Sequence, residues 1–240
     1  MRNKKTISVA MAAYNGERYL NEQLDSILIQ LRENDEIIIS LDPSSDNTES
    51  IIKEYCRKDS RVKLCHGPGQ GVVRNFENAI KHCRNEIIFL SDQDDVWKDK
   101  KVMRVLKAFD NPRIMAVLHD AEIVDEYLKV TTKSFFQMKN CRTGIIRNIV
   151  KNSYIGCCLA FRRKSLIKVL PFPEQIPMHD QWIGILCEWF GKVEFIREPL
   201  ILYRRHGDNL SDTEHASLKQ MIKWRVCLLK GFIKRVFWGK

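Results

Sequence analysis

In the first hundred residues two kinds of apolar pattern alternate, and no other feature of the chain restricts its fold so strongly. Thr6–Ala13, Glu36–Leu41, Arg61–His66 and Glu86–Ser91 are short, strand-like runs. In EIIISL and EIIFLS the apolar residues are consecutive, which suits strands buried on both faces. Between the runs, Gly16–Leu31, Asp46–Lys58 and Gly71–Cys83 carry apolar residues at helical spacing. Val72, Phe76, Ala79, Ile80 and Cys83 share one face of the third helix, and Ser45 or Asp46 is placed to cap the second. Strand–helix alternation of this kind predicts a parallel α/β sheet with right-handed crossovers. After Trp97 the rhythm changes. The pattern predicts a helix over Lys98–Phe109, a strand over Ile114–Val124, an irregular polar stretch over Tyr127–Arg142 and a short helix over Gly144–Lys151. There follow a strand over Cys157–Phe161, a proline-marked loop, a helix over Asp180–Phe190, strands over Lys192–Ile196 and Pro199–Tyr203, a polar loop over Arg204–Glu214 and a last helix over His215–Trp238. The expected division is 1–97 and 98–214 as two halves of one domain, with 215–240 as a basic C-terminal helix.

A chain of 240 residues is long enough for a sizeable core. Its 44% hydrophobic and 29% charged residues are those of a globular domain and exclude wholesale disorder. No apolar run approaches the roughly 20 residues of a membrane span. The N-terminal MRNKKTISVAMAAYNGE has a short apolar run followed at once by Asn15, Glu17 and Arg18, so it reads as a first strand and not as a signal peptide. The formal net charge of +10 is concentrated at the end of the chain: Ala216–Lys240 holds Lys219, Lys223, Arg225, Lys230, Lys234, Arg235 and Lys240 and no acid. No nucleic-acid-binding motif accompanies it. The eight cysteines contain no CxxC pair, which argues against a zinc ribbon or a thioredoxin-like site. Several fall in apolar patterns as small core residues do. Together with the absence of a signal peptide this places the protein in a reducing cytoplasm.

FLSDQDDVW, at Phe89–Trp97, sets three carboxylates within four residues behind a buried strand. Acids this close repel one another unless a positive charge sits among them. Asp92 and Asp94, one residue apart, are spaced to reach a hard divalent cation that also carries substrate phosphate. A helix-capping cluster is the alternative reading, most of all for Asp95. An EF-hand fails, because its sixth position would be Trp97. Gly67–Gly71 opens a helix after a strand, but the third glycine of a dinucleotide fingerprint would fall at Val72. A phosphatase of the haloacid-dehalogenase type, with paired aspartates behind a buried strand, remains a rival. In an open parallel sheet, ligands bind beyond the carboxyl ends of the strands. Ala13–Asn15, Asp42, Gly67–Gly71 and Asp92–Asp95 all fall there.

Six pieces, in order over about residues 5–210, carry a resemblance: ISVAMAAYNGERYLNEQLDSILIQ, IIISLDPSSDNTESIIKEY, GVVRNFENAIKHCRNEIIFLSDQDDVW, GCCLAFRR, HDQW and YRRHGDN. The sequence resembles family 2 glycosyltransferases with the GT-A fold, a Rossmann-like mixed α/β sheet, mainly parallel, with flanking helices. SDQDDVW is similar to the rhamnosyltransferase-like members that build bacterial surface polysaccharides. The resemblance implies that Ala13 and Tyr14 hold the nucleotide base. It implies that Asp42 bonds base and ribose, that Arg74 serves the nucleotide, and that Asp92 faces the ribose or first phosphate. Asp94 binds Mg²⁺ or Mn²⁺, with Asp95 in support. The family's catalytic base maps to Asp180 in HDQW, where histidine replaces the familiar preceding glutamate; a histidine there is expected to titrate near neutral pH and to tune Asp180. Asp180 also opens an apolar helix, as an N-cap does. The loop Arg204–Asn209 resembles the segment that closes over the diphosphate, which implies that Arg205 offers charge to the phosphates and that His206 is a third metal ligand.

The implied reaction is inverting transfer from a nucleotide-diphosphate sugar, with UDP and dTDP equally open, to a saccharide or lipid-linked acceptor. On the same resemblance, a non-catalytic nucleotide-sugar-binding protein remains a second rival. In the last helix, Leu218, Met221, Ile222, Val226, Leu229, Phe232, Ile233, Val236 and Phe237 interleave with lysine and arginine. A basic amphipathic helix of this kind suits the inner surface of the cytoplasmic membrane. Packing on the domain or on a second subunit fits the same pattern.

Overall fold

The consecutive apolar runs of the first half have no polar face to offer water, and in the fold they become the centre of a sheet. The computed structural model describes residues 5–207 and 217–237. In chain order, the first half is β1 (Ile7–Ala13), α1 (Leu20–Leu28), β2 (Glu36–Leu41), α2 (Thr48–Lys58), β3 (Val62–His66), α3 (Val72–His82), β4 (Ile87–Ser91) and β5 (Val96–Trp97). Then come α4 (Lys101–Ala108), β6 (Ile114–Val124), β7 (Val130–Thr132), α5 (Phe135–Lys139), α6 (Ile145–Val150), β8 (Leu159–Arg162), α7 (Leu166–Val169), α8 (His179–Phe190), β9 (Lys192–Arg204) and α9 (Leu218–Phe237). Among the described residues the strands form one sheet ordered β3-β2-β1-β4-β8-β6-β9-β5, with β7 on β6. β1 to β4 run parallel, every residue of β2 and β4 is buried, and β8 pairs antiparallel with both β4 and β6.

The strand order turns round at β1: β2 and β3 lie on one side, β4 on the other. In open α/β sheets that reversal opens a crevice at the carboxyl ends of the strands. Register brings those ends to one edge: Ala13 pairs with Leu41, and Ser91 pairs with Met11, two residues short of the end of β1. The residues that follow, Tyr14, Asp42 and Asp92, therefore emerge at one edge.

Three sequence expectations change. Val96–Trp97 is a strand, β5, paired antiparallel with Leu202 and Ile201 of β9; two residues are too few for a periodicity to register. Lys192–Arg204 is one strand and not two. Its pairing with β6 shifts register on both sides of the Asp120–Pro199 pair, where proline supplies no N–H to the ladder. The stretch Tyr127–Arg142 contains β7 and α5, and Ser134 caps α5 by accepting the Gln137 N–H. For α2, Asn47 precedes the helix, while the Asp46 carboxylate accepts from the Thr48 N–H. The expected loop beyond Gly207, with Asn209, and the ends of the last helix at His215, Ala216 and Trp238–Lys240 lie outside the described residues.

Candidate active site

Tyr14 stands at the mouth of the crevice, 55% exposed, so it is not a core tyrosine. Gln93 holds it there: the side-chain Oε1 accepts from the Tyr14 N–H (2.9 Å) and Nε2 donates to the Tyr14 carbonyl (2.8 Å). The ends of β1 and β4 are thus joined by one amide, whose orientation the two opposed bonds specify. Ala13 is buried, and its carbonyl accepts from the Asp42 N–H (2.9 Å) and from Asn75 Nδ2 (3.1 Å). Asp42, buried at the end of β2, accepts from the Gly69 N–H (2.9 Å). Gly67 has to be glycine, because a Cβ there would lie 2.3 Å from Asp42 Oδ1. The glycines that resemble a phosphate loop in sequence therefore wrap an aspartate.

The acidic cluster divides by environment. Asp95 is fully buried: Oδ1 accepts from the Arg204 N–H (3.0 Å), while Oδ2 has no hydrogen-bond partner. Burial, with Asp94 and Asp92 alongside, pushes its carboxyl well above the usual range. Asp92 is half-buried and is pushed up to about 7, first by burial and then by the charges of Asp94 and Asp180. The answering charge comes from the protein itself. Lys101, at the start of α4, is buried, with Nζ donating to the Cys157 carbonyl (2.8 Å) and lying 4.0 Å from the centre of the Trp97 ring. Burial lowers its pKa to about 8, while nearby Asp95 and Asp92 help to keep it charged. Asp92, Asp95 and Cys157 converge closely enough for metal binding. Burial raises the Cys157 thiol, however, and a protonated thiol beside an ammonium is a poor setting for a divalent cation.

Asp94 is the better placed donor. Its Oδ2 lies 3.0 Å from His206 Nε2. The His206 ring is tilted over Tyr19 at 4.7 Å. A carboxylate oxygen and an imidazole nitrogen aimed at each other form a donor set that fits Mn²⁺ or Mg²⁺. Arg204 buttresses this side: its guanidinium donates to the carbonyls of Asp94 and Glu126 (both 2.8 Å), pairs with Glu22 and lies 4.6 Å from the Tyr19 ring centre. Gln23 of α1 donates to Ser91 Oγ (2.7 Å) and to the Asp92 carbonyl (2.8 Å). Arg205 donates its N–H to Val124 (2.8 Å) and its guanidinium to the Tyr203 hydroxyl (3.1 Å).

Asp180 lies in the first turn of α8, buried, with Met178 as the N-cap. Its Oδ1 accepts from the Gln181 N–H (2.5 Å), and burial pushes the carboxyl up to about 7. Asp180 bears electrostatically on Asp92, so α8 and β4 deliver carboxylates to one crevice. His179 corrects an expectation. It is buried and stacked on Phe76 at 4.0 Å, neither ring nitrogen has a hydrogen-bond partner, and burial lowers its pKa to about 3. It is a neutral spacer and not a near-neutral titrating group. Gly156 makes room for it, because a Cβ there would meet His179 Nε2 at 3.0 Å. Arg74 is turned away from this cluster. It pairs with Glu77 and donates to the carbonyls of Phe172 (3.1 Å) and Pro173 (3.2 Å), tying α3 to the loop before α8.

The sequence reading missed Gln93, Gln23, Lys101 and the structural part of Arg204. Lys101 had a signal, since Lys101, Val105 and Phe109 fall on one helical stripe that is otherwise apolar. Gln93 had none beyond its place between two acids.

A mixed sheet with a carboxylate-rich crevice at the reversal of strand order places the chain among open α/β proteins that bind ligands at that edge, and comparison with known proteins narrows the class. The family model for glycosyl transferase family 2 matches residues 8–170. The chain belongs to that family. It is 29% identical over 211 residues to an uncharacterized glycosyltransferase, alr2836, of Nostoc sp., covering 85% of this chain and 66% of the relative. It is 27% identical over 229 residues to the Escherichia coli UDP-Glc:alpha-D-GlcNAc-diphosphoundecaprenol beta-1,3-glucosyltransferase WfgD, covering 92% and 84%. The chain thus spans about two thirds of the length of the Nostoc relative. Among solved structures, S. aureus TarS 1-349 in complex with UDP-GlcNAc superposes with a TM-score of 0.76 at 17% identity, covering 95% of this chain and 66% of that one. The mannosyltransferase PcManGT of Pyrobaculum calidifontis, in complex with GDP-Man and Mn²⁺, gives 0.63 at 15%, covering 98% and 72%. These likenesses establish the GT-A fold, and family membership displaces the haloacid-dehalogenase phosphatase reading.

Proposed function

We propose that the protein is an inverting glycosyltransferase. It moves a sugar from a nucleotide-diphosphate donor to a saccharide or lipid-linked saccharide acceptor in bacterial surface polysaccharide synthesis, with Asp180 as the base. One observation carries the reading: a buried carboxylate at the start of α8, raised to about 7, electrostatically coupled to Asp92 at the end of β4. A base held near the working pH accepts a proton most effectively. A scaffold that only bound nucleotide sugar would gain nothing from burying an acid there.

In this reading Tyr14 stacks on the base, Asp42 bonds base and ribose, and Asp92 faces the ribose–phosphate side. Asp94 and His206 would hold Mn²⁺ or Mg²⁺. A divalent cation supplies charge to the leaving diphosphate, as Arg205 does from the protein side. Asp180 takes the acceptor hydroxyl proton while the oxygen attacks the anomeric carbon opposite the diphosphate. WfgD, by its name, acts on a diphosphoundecaprenol-linked sugar, which supports a lipid-linked acceptor here. Mn²⁺ beside GDP-Man in PcManGT supports the metal. Uridine and thymidine donors are both compatible with these residues.

Asp180→Asn tests the assignment. Transfer from the donor found by a nucleotide-sugar screen with Mn²⁺ should fall at least a hundredfold, with donor affinity unchanged by calorimetry. In the wild type, log kcat should rise with pH and level off near pH 7, and substantial residual transfer by the variant would refute the base.

A further inference from the structure

We infer that α9 is a membrane-docking helix, whose outer face binds an anionic lipid surface while its inner face is fastened to the element that carries Asp180. The inner face is fully engaged. Leu228 and Phe232 are buried, and Gly231 packs so closely that a Cβ would lie 3.0 Å from Pro173 and 3.4 Å from Trp182. Arg235 donates to the carbonyls of Lys168, Leu170 and Pro171, and Arg225 to that of Val150. Both arginines therefore satisfy carbonyls left over where α6 and α7 end.

The outer face carries a different chemistry. Ile222, Val226, Leu229, Ile233 and Phe237 recur every three or four residues and are all exposed, Ile222 by 60% and Phe237 by 67%. Such a stripe has no reason to face water. Beside it, on the same helix, Lys219, Lys223, Lys230 and Lys234 form a second exposed row at intervals of four and seven. Between His215 and Lys240 there is no acid to neutralise them. An apolar stripe flanked by long cationic side chains is the arrangement that sinks into the headgroup boundary, with the ammonium groups reaching anionic phosphates. Trp189 extends the patch from α8: it is 47% exposed, and its ring centre lies 6.4 Å from that of Phe237. A second copy of the chain fits less well, because a two-fold pairing of this face would bring the lysine rows into one interface.

The inference goes beyond the transfer reaction. It names the surface on which a lipid-linked acceptor would meet the crevice, since Trp182, against which α9 packs, lies two residues from Asp180. Flotation of the full chain with vesicles of phosphatidylcholine, with and without phosphatidylglycerol, tests it and needs neither donor nor acceptor. Its failure would therefore leave the glycosyltransferase reading standing. The wild type should float with the anionic vesicles alone and be released by salt. Changing Lys219, Lys223, Lys230 and Lys234 to Gln should weaken binding by roughly two to three orders of magnitude, at about fivefold per lysine. Changing Ile222, Leu229, Ile233 and Phe237 to Ser should abolish it. All eight positions are exposed, so thermal melting should stay unchanged and verify folding. Binding that ignores both sets of changes would overturn the proposal. So would a wild type that fails to float but runs as a dimer dispersed by the serine variant, or one captured only by an acidic protein.

Discussion

At the scale of single residues, the crowding of FLSDQDDVW is relieved by groups that only the fold brings to it. Lys101 of α4 bears electrostatically on Asp92 and Asp95, and the Arg204 N–H reaches Asp95 from the end of β9. Removing one partner from a buried set of charges leaves the others uncompensated. Lys101→Met should therefore lower stability by urea denaturation more at pH 8, where Asp92 is largely charged, than at pH 4. The sign with pH follows from Asp92. Its folded pKa is raised to about 7 from 3.8, so the stability tied to its proton is present below about pH 4 and lost as pH rises through 7. Without Lys101 that loss deepens, so the cost of the variant should shrink on acidification. Lys101→Met/Asp92→Asn should recover most of it; equal costs at pH 4 and pH 8 would sink the assignment. Asp180 obeys the same sign. Its shift from 3.8 to about 7 corresponds to roughly 4 kcal/mol at most, so Asp180→Asn should melt higher than the wild type above pH 7 and equal to it near pH 4.

At the scale of elements, the crevice depends on three strand ends keeping their relative height. Parallel register levels the ends of β1 and β2 and stops β4 two residues short of them, and the Gln93 amide then ties the β1 end to the β4 loop. Gln93→Ala removes two hydrogen bonds to the Tyr14 backbone without opening the core. Donor affinity should drop about tenfold, at roughly 1 kcal/mol or less per bond, while kcat at saturation and the melting temperature change little. A drop in kcat with affinity intact would show that the clamp serves the reaction and not the nucleotide. The secondary structure of the first half was legible because its periodicities are long and unmixed. β5 was not, because two residues carry no period, and the break expected at Arg197–Glu198 proved to be a register shift inside one strand. His179 misled for a related reason: imidazole titrates near neutrality only while solvated, and nothing in HDQW announces that Phe76 lies over its ring.

At the scale of the molecule, nucleotide and cation should bind the folded state as a unit. With Mn²⁺ and nucleotide diphosphate each at about a hundred times its dissociation constant, the stabilisation is roughly 3 kcal/mol or more. For a chain of this size that is a rise in melting temperature of about 6–12 °C. EDTA should remove the metal-dependent part, and Asp94→Asn should prevent it. An increment that survives Asp94→Asn would move the metal to other donors. No helix among the described residues is long and apolar enough to cross a membrane.

The sequence by itself determined the fold class, the order of its elements and the kinds of residue that end each central strand. It did so because buried parallel strands and amphipathic helices have different periods, and because loops at strand ends carry their chemistry in contiguous motifs. Only the tertiary structure decided which charges meet. Lys101 faces inward to the acids, Arg74 turns outward to the loop before α8, His179 is shut away from protons, and Asp180 shares a field with Asp92. Those outcomes depend on burial and on separations of a few ångströms between residues up to about a hundred positions apart, and, the helical stripe that holds Lys101 aside, no local pattern records them.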